Sequence, residues 1–138
     1  MASVADIGET IEAASPDDGR RAMAQALLGA GEDILVLWLE AHGREPTQET
    51  KEGFRLLALH RQGAKDDPSF NACRETCREL AYHYNIAVGD YEAHDPEKSL
   101  RMMRHIARHL YLFVSGKMQE AELGEFCCSS KSIRANGA

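Results

Sequence analysis

The chain has 138 residues, of which 43% are hydrophobic and 28% are charged, and its formal net charge is −6. This composition is typical of one globular domain that folds without a metal or disulfide, and it excludes a collagen, a secreted mini-scaffold and a large two-domain enzyme. The N-terminal region has no basic stretch before an apolar core, so we expect no secretory signal. No apolar run approaches the roughly 18 residues of a membrane span, so we expect no membrane partner.

The charge is unevenly distributed along the chain. Residues 1–50 carry ten acids and three bases (−7), residues 51–100 carry nine acids and seven bases (−2), and residues 101–138 carry three acids and six bases (+3). This acidic balance argues against nucleic-acid binding, which requires a basic surface. Because no signal peptide is expected, we expect the four cysteines to be reduced and the protein to be cytoplasmic. Its many Ala and Arg residues suggest a bacterial source.

Local signals for helix starts and helix ends occur along the whole chain. A capping side chain precedes proline at Ser15-Pro16, Asp67-Pro68 and Asp95-Pro96, and Thr47 is a fourth candidate cap. The glycines at 43, 63 and 89 mark helix ends. The helices predicted from these signals and from apolar spacing are 3–13, 16–29, 32–42, 47–62, 68–88, 96–115 and 117–128, with Gly29-Ala30-Gly31 either a kink or a break.

These elements predict an all-α fold, a compact bundle of five to six helices with mostly antiparallel neighbours and short loops. We expect one domain over 1–128, with 1–14 as a candidate peripheral helix, and a flexible C-terminal tail over 129–138. Two helices carry a clear apolar stripe that should face the core. The stripes are Phe70, Cys73, Cys77, Leu80, Tyr84 and Val88 in the first helix and Leu100, Met103, Ala107, Leu110 and Val114 in the second.

The segment 34–39 is apolar on nearly every side of its helix. Such a helix either lies at the centre of a bundle or is partly covered by a second subunit. The sequence contains no P-loop, dinucleotide-binding glycine motif or nucleophile elbow, so we assign no catalytic residue and do not expect an enzyme. The leading hypothesis is therefore a binding or regulatory module that acts through protein–protein contacts, as a homo-oligomer.

A second hypothesis, a metal- or redox-responsive protein, begins with Cys73 and Cys77. These residues lie one helical turn apart, so they could hold half of a site for zinc or another thiophilic metal, or form a redox pair. Core packing is the competing interpretation, because both cysteines belong to an apolar stripe and free cysteine packs as a small hydrophobe. His60 and His83 are alternative partners whose positions the sequence leaves open.

Two further pairs carry metal-capable side chains. His105 and His109 have the i, i+4 spacing by which one helix face presents two imidazoles to a metal, although they avoid the apolar stripe of their helix. Cys127 and Cys128 are adjacent near the C-terminus, where they could bind a soft metal, form mixed disulfides or simply pack onto the bundle. Since the histidines avoid one stripe and Cys73 belongs to the other, a joint Cys–His site is disfavoured.

The densest basic cluster consists of Arg101, Arg104 and Arg108 on one face of the predicted helix 96–115. Guanidinium groups in this arrangement could bind phosphate or an acidic partner surface. The competing interpretation is that they form ion pairs with the acidic first half of the same chain.

Overall fold

The computed structural model describes residues 3–90 and 94–121. It contains five α-helices, which are α1 (Val4–Ala13), α2 (Arg20–Ala41), α3 (Arg55–Asp66), α4 (Arg74–Val88) and α5 (Pro96–Glu120). Short 3₁₀ helices, Pro16–Asp18 and Pro68–Cys73, precede α2 and α4. Among the described residues no β-strand forms, and the one isolated bridge joins Lys51 to Phe54. The predicted all-α bundle is confirmed.

Helix α2 is the central helix of the bundle, because it packs against α1, α3, α4 and α5. It runs without interruption through Gly29-Ala30-Gly31, so this junction is not a break. Within 34–39, four residues are buried and the other two are partly buried against the same core. The central position of α2 therefore accounts for its apolar run without a second subunit.

Length and composition alone would allow α2 to cross a membrane, which differs from the sequence-based expectation. The 22-residue helix has a mean hydropathy of 1.4 over its most apolar window, and 50% of that window is buried inside the protein. A core helix of a bundle gives the same pattern, so this property is weak evidence for a membrane span.

The predicted caps are present, although two of them begin a different element. The Asp95 side chain accepts hydrogen bonds from the backbone N–H groups at the start of α5, as predicted. Ser15 and Asp67 also accept backbone N–H groups, but each of them starts a 3₁₀ helix. As a result, α2 begins at Arg20 and α4 begins at Arg74, later than the sequence predicted.

The prediction of a helix beginning at Thr47 is wrong, because α3 begins at Arg55. The Thr47 hydroxyl does accept a backbone N–H, that of Glu49, but no helix follows it. The Thr47 N–H and carbonyl are instead held by side chains of α3, the N–H donating to Gln62 and the carbonyl accepting from Arg55. These long-range bonds hold the connection in a non-helical course that local capping signals do not predict.

The C-terminal helix also differs from its prediction. Helix α5 continues through Gly116 to Glu120, so no separate helix begins at 117. The rest of that predicted helix, including Cys127 and Cys128, lies outside the described residues, as does the tail 129–138. The two apolar stripes do face the core, where all their members are buried except Tyr84 and Val88, which are partly buried. The stripes meet where α4 packs against α5.

Candidate functional site

A buried cluster of His60, Cys73 and Cys77 lies where α3, the 3₁₀ helix Pro68–Cys73 and α4 come together. The exposed fraction is 6% for His60, 1% for Cys73 and 0% for Cys77. The 3₁₀ helix reverses the chain after α3, and the Asp67 cap together with the proline ring stabilises its first turn. This reversal brings Cys73 against a histidine that precedes it by thirteen residues.

The main-chain carbonyl of Phe70 joins two members of this cluster. His60 Nε2 donates to it at 2.7 Å, and the Cys73 thiol donates to it at 3.2 Å. Because a carbonyl oxygen can only accept, the proton of the neutral His60 ring is placed on Nε2. The Phe70 ring also stacks on the His60 ring, with centroids 6.3 Å apart and planes inclined by 15°. Phe70 therefore orients the imidazole through both its carbonyl and its side chain.

The two thiols have opposite acidities. The pKa of Cys73 is lowered to about 5, chiefly because the Cys77 side chain hydrogen-bonds to its sulfur. Burial opposes this shift, whereas the hydrogen bond and charge of His60 add to it. The pKa of Cys77 is raised well above its ordinary value by its hydrogen bond to Cys73, by burial and by the neighbouring negative charge. The pair therefore ionises at one sulfur and keeps its proton on the other.

The pKa of His60 follows from the same contacts. Burial by itself lowers it, but the hydrogen bonds to Cys73 and to the Phe70 carbonyl outweigh burial and raise the pKa overall. A cysteine paired with a charged imidazole is the arrangement that activates thiolate nucleophiles in proteins. The cluster shares this pairing of a cysteine with an imidazole, although both side chains are buried.

The Phe70 ring links the cluster to an aromatic group near the surface. Its centroid lies 4.7 Å from that of Trp38 and 6.0 Å from that of Phe113. The Lys117 ammonium lies 5.6–5.9 Å from the centroids of these three rings and 3.4 Å from an Asp67 carboxylate oxygen. A cavity of about 280 Å³ opens beside this group and is lined by Trp38, Leu39, His42, Arg44, Gly63, Asp66 and Asp67.

The other predicted metal ligands do not join the cluster. His105 and His109 are exposed on α5, away from its buried stripe, as their positions in the sequence indicated. Nδ1 of His83 lies 3.1 Å from the Ser99 hydroxyl oxygen, a contact that belongs to α4 and α5. Over residues 3–90 and 94–121, no group of three or more His, Cys, Asp or Glu side chains is arranged to hold a metal ion.

Two of the three clustered arginines hold α1 against α5. Arg104 donates from Nε to the Ile11 carbonyl at 3.2 Å and from its guanidinium to the Ala14 carbonyl, so it caps the negative end of α1. Arg108 donates to both carboxylate oxygens of Glu12, at 2.6 and 3.0 Å. Arg101 is exposed on the same helix. Anion or partner binding by the three arginines stays a prediction.

The sequence indicates His60 only as one of the alternative partners of the cysteines. No local pattern joins it to Cys73, because the two residues belong to different helices and meet only through the 3₁₀ reversal. Asp67-Pro68 is the signal that could have indicated this contact, since a cap and a proline after α3 mark a turn that folds the following segment back.

No protein-family model, no curated protein and no solved structure matches this chain. The fold and the site together define the class of protein, which is a small all-α bundle with a buried cysteine–cysteine–histidine cluster.

Proposed function

We propose that this protein is a small helical regulatory protein whose state is set by oxidation of the Cys73–Cys77 pair. One observation carries the proposal, namely that the buried Cys73 and Cys77 lie one helical turn apart with His60 beside them, since His60 and Cys73 both contact the Phe70 carbonyl. These neighbours lower the pKa of the Cys73 thiol and so favour its thiolate. A cysteine that only fills an apolar core has the opposite tendency, because burial without such partners raises the thiol pKa.

The contacts within the cluster favour redox chemistry over metal binding. His60 Nε2 already donates to the Phe70 carbonyl, and the Cys73 thiol donates to the same carbonyl. A closed zinc site takes four protein ligands as deprotonated or neutral donors, so zinc would have to break these bonds and recruit a further ligand. Oxidation of the pair needs only the two sulfurs that already lie together.

The burial of the pair favours a regulatory role over catalytic turnover. Since Cys73 is 1% exposed and Cys77 is 0% exposed, an extended substrate cannot be seated against either sulfur in this conformation. A buried pair is suited to be oxidised once per event and to convert that event into a change of packing. In this proposal, oxidation of the pair changes the protein–protein contacts that the sequence predicts.

Alkylation by iodoacetamide, followed by tryptic peptide mapping, tests the proposal. Cleavage after Lys65, Arg74 and Arg78 places Cys73 on peptide 66–74 and Cys77 on peptide 75–78. Cys127 and Cys128 share peptide 118–131, so the modification of each region is measured separately in the unaltered protein.

We expect Cys73 to react faster than Cys77, at a rate that changes less than about twofold between pH 6.5 and 8. An ordinary thiol with a pKa near 8.5 would react roughly 25-fold faster across the same interval. His60→Gln removes the charged partner and should restore part of that pH dependence. Two thiols that react only as fast as the protein unfolds, in wild type and variant alike, would make both cysteines plain core residues.

A further inference from the structure

We infer that the oxidant of the Cys73–Cys77 pair is a small uncharged peroxide rather than a bulky disulfide, and that the product is the intramolecular Cys73–Cys77 disulfide. This inference rests on the proposed redox function and names the substrate class and the product of that same site. It is carried by the burial of both sulfurs, by their position one helical turn apart and by the position of His60 beside Cys73.

The burial of the two sulfurs limits the size of the oxidant that can reach them. Cys73 and Cys77 are 1% and 0% exposed, so an oxidant must enter between packed side chains. Hydrogen peroxide has two heavy atoms and no charge, and small fluctuations of the core admit a molecule of that size. Glutathione disulfide is large and charged, and exchange requires direct attack of the thiolate on one of its sulfurs. The packing around Cys73 blocks that approach.

The first step oxidises Cys73. Its thiolate attacks one peroxide oxygen, so that an S–O bond forms while the O–O bond breaks, and the sulfur becomes a sulfenic acid. The departing hydroxide takes a proton from the His60 imidazolium and leaves as water. Peroxide is thereby reduced by two electrons, and the imidazole becomes neutral.

The second step uses Cys77. Its sulfur attacks the Cys73 sulfur, an S–S bond forms and the S–O bond breaks, and the leaving hydroxide combines with the Cys77 proton as a second water. In sum, two thiols and one peroxide give one disulfide and two waters. The high pKa of Cys77 keeps its proton available until this step.

Disulfide formation must also move the start of α4. Side chains one helical turn apart have β-carbons about 5–6 Å apart, whereas a disulfide needs about 3.5–4.5 Å. Cys73 is the residue just before α4 and has φ −105° and ψ 12°, so it can shift without breaking the helix interior. The hydrogen bond from Cys73 to the Phe70 carbonyl belongs to the thiol form and is absent from both the thiolate and the disulfide, so the backbone shift of Cys73 is the change that oxidation adds.

Phe70 provides a readout, because it lies three residues before Cys73 in the same 3₁₀ helix and a shift of Cys73 should move it. Its ring lies 4.7 Å from Trp38, which is the only tryptophan of the chain. We expect the reduced full-length protein treated with hydrogen peroxide to yield peptide 66–74 linked to peptide 75–78, with Trp38 emission changing at the same rate. Equimolar glutathione disulfide should modify Cys73 at least ~10-fold more slowly.

Variants separate the two steps. Cys77→Ser should accumulate a sulfenic acid on Cys73, which dimedone traps when the protein is unfolded in its presence, and Cys73→Ser should abolish the fast reaction with peroxide. Cys73→Ala and Cys77→Ala replace them if serine disturbs folding, as judged by helical circular dichroism. Cys77→Ala should form the sulfenic acid more slowly, because it lacks the hydrogen bond that favours the Cys73 thiolate. The peptide that carries Cys127 and Cys128 serves as the internal control for nonspecific oxidation.

The possible negative results distinguish an error in the oxidant class, in the disulfide product and in the proposed function. If glutathione disulfide oxidises the pair as fast as peroxide does, the oxidant class is wrong while the redox pair stands. If peroxide leaves a lasting sulfenic acid in the wild-type protein, Cys77 does not resolve it and the disulfide is wrong. If neither oxidant reacts and the alkylation of Cys73 shows ordinary pH dependence, both this inference and the proposed function are refuted.

Discussion

A β-carbon on Gly31 of α2 would lie 2.8 Å from the Leu80 Cδ2 methyl carbon on α4. A residue larger than glycine at this position would therefore require the Leu80 side chain to shift. We expect Gly31→Ala to destabilise the protein by about 1–3 kcal/mol, because the extra methyl group overpacks the core.

Gly29→Ala is the matched control, since no atom lies within 4 Å of a β-carbon at that position of the same helix. Alanine should there stabilise the helix by about 0.5–1 kcal/mol. Urea unfolding of both variants measures the difference. If Gly31→Ala is also stabilising, the Leu80 side chain moves aside and the contact does not require glycine.

The dependence of stability on pH should show the ionisation of Cys73. Its pKa in the folded protein is about 5, against an ordinary value of 9.0. The ionised Cys73 therefore adds to the free energy of unfolding in full above pH 9.0, and this addition is lost as pH falls through 5. The effect of His60 on stability has the opposite dependence on pH, because its pKa is raised in the folded protein. The protonated His60 stabilises the fold in full below pH 6.5, and this stabilisation is lost as pH rises through the folded pKa.

Between pH 5 and 6.5 Cys73 has largely lost its proton in the folded chain but keeps it in the unfolded chain, so its ionisation makes stability rise with pH. The lowered pKa of His83 acts with the same sign in this interval. The slope is at most about 1.4 kcal/mol per pH unit for one proton. Just above pH 6.5, the fall in stability caused by His60 should cancel the rise caused by Cys73. Urea unfolding of His60→Gln and of the double variant His60→Gln/Cys73→Ser at several pH values checks this, because His60, whose pKa depends on Cys73, is absent from both proteins and the remaining groups cancel in the difference. A stability difference that is constant over pH 5–6.5 would contradict the ionised Cys73.

Arg104 should determine how firmly α1 is held to the bundle. It donates to the Ile11 and Ala14 carbonyls at the end of α1, which have no partners further along that helix. We expect Arg104→Leu to cost about 1–3 kcal/mol and to speed amide exchange throughout α1, since it leaves these carbonyls without their donor. Arg101→Leu, three residues earlier on the exposed side of α5, is the control and should leave α1 exchange unchanged.

Lys117 should stabilise the aromatic group around Phe70. Its ammonium lies over the rings of Trp38, Phe70 and Phe113 and near the Asp67 carboxylate. Lys117→Met keeps most of the side-chain volume but removes the charge, and it should cost about 0.5–2 kcal/mol and change Trp38 emission. Lys117→Arg retains the charge and should have the smaller effect. Equal losses for both variants would assign the contribution to side-chain packing rather than to the cation.

The fold class and the core faces could be predicted because their causes are local. The stripe through Phe70, Cys73, Cys77 and Leu80 repeats at helical spacing, and its buried side in the structure is the predicted one. The start of α3 could not be predicted in this way. There, the backbone of Thr47 is held by Gln62 and Arg55, and a bond between residues so far apart in sequence leaves no periodic signal.

The sequence by itself determined that the chain forms helices, which faces of them are apolar and that two cysteines lie one turn apart, because each of these depends on residues within a few positions of one another. Only the tertiary structure decided that α2 is covered by its own chain and that His60 lies beside Cys73. Both facts depend on how separate helices pack. The contact between the imidazole and the thiol, on which the proposed function rests, is produced by the chain reversal at Pro68–Cys73.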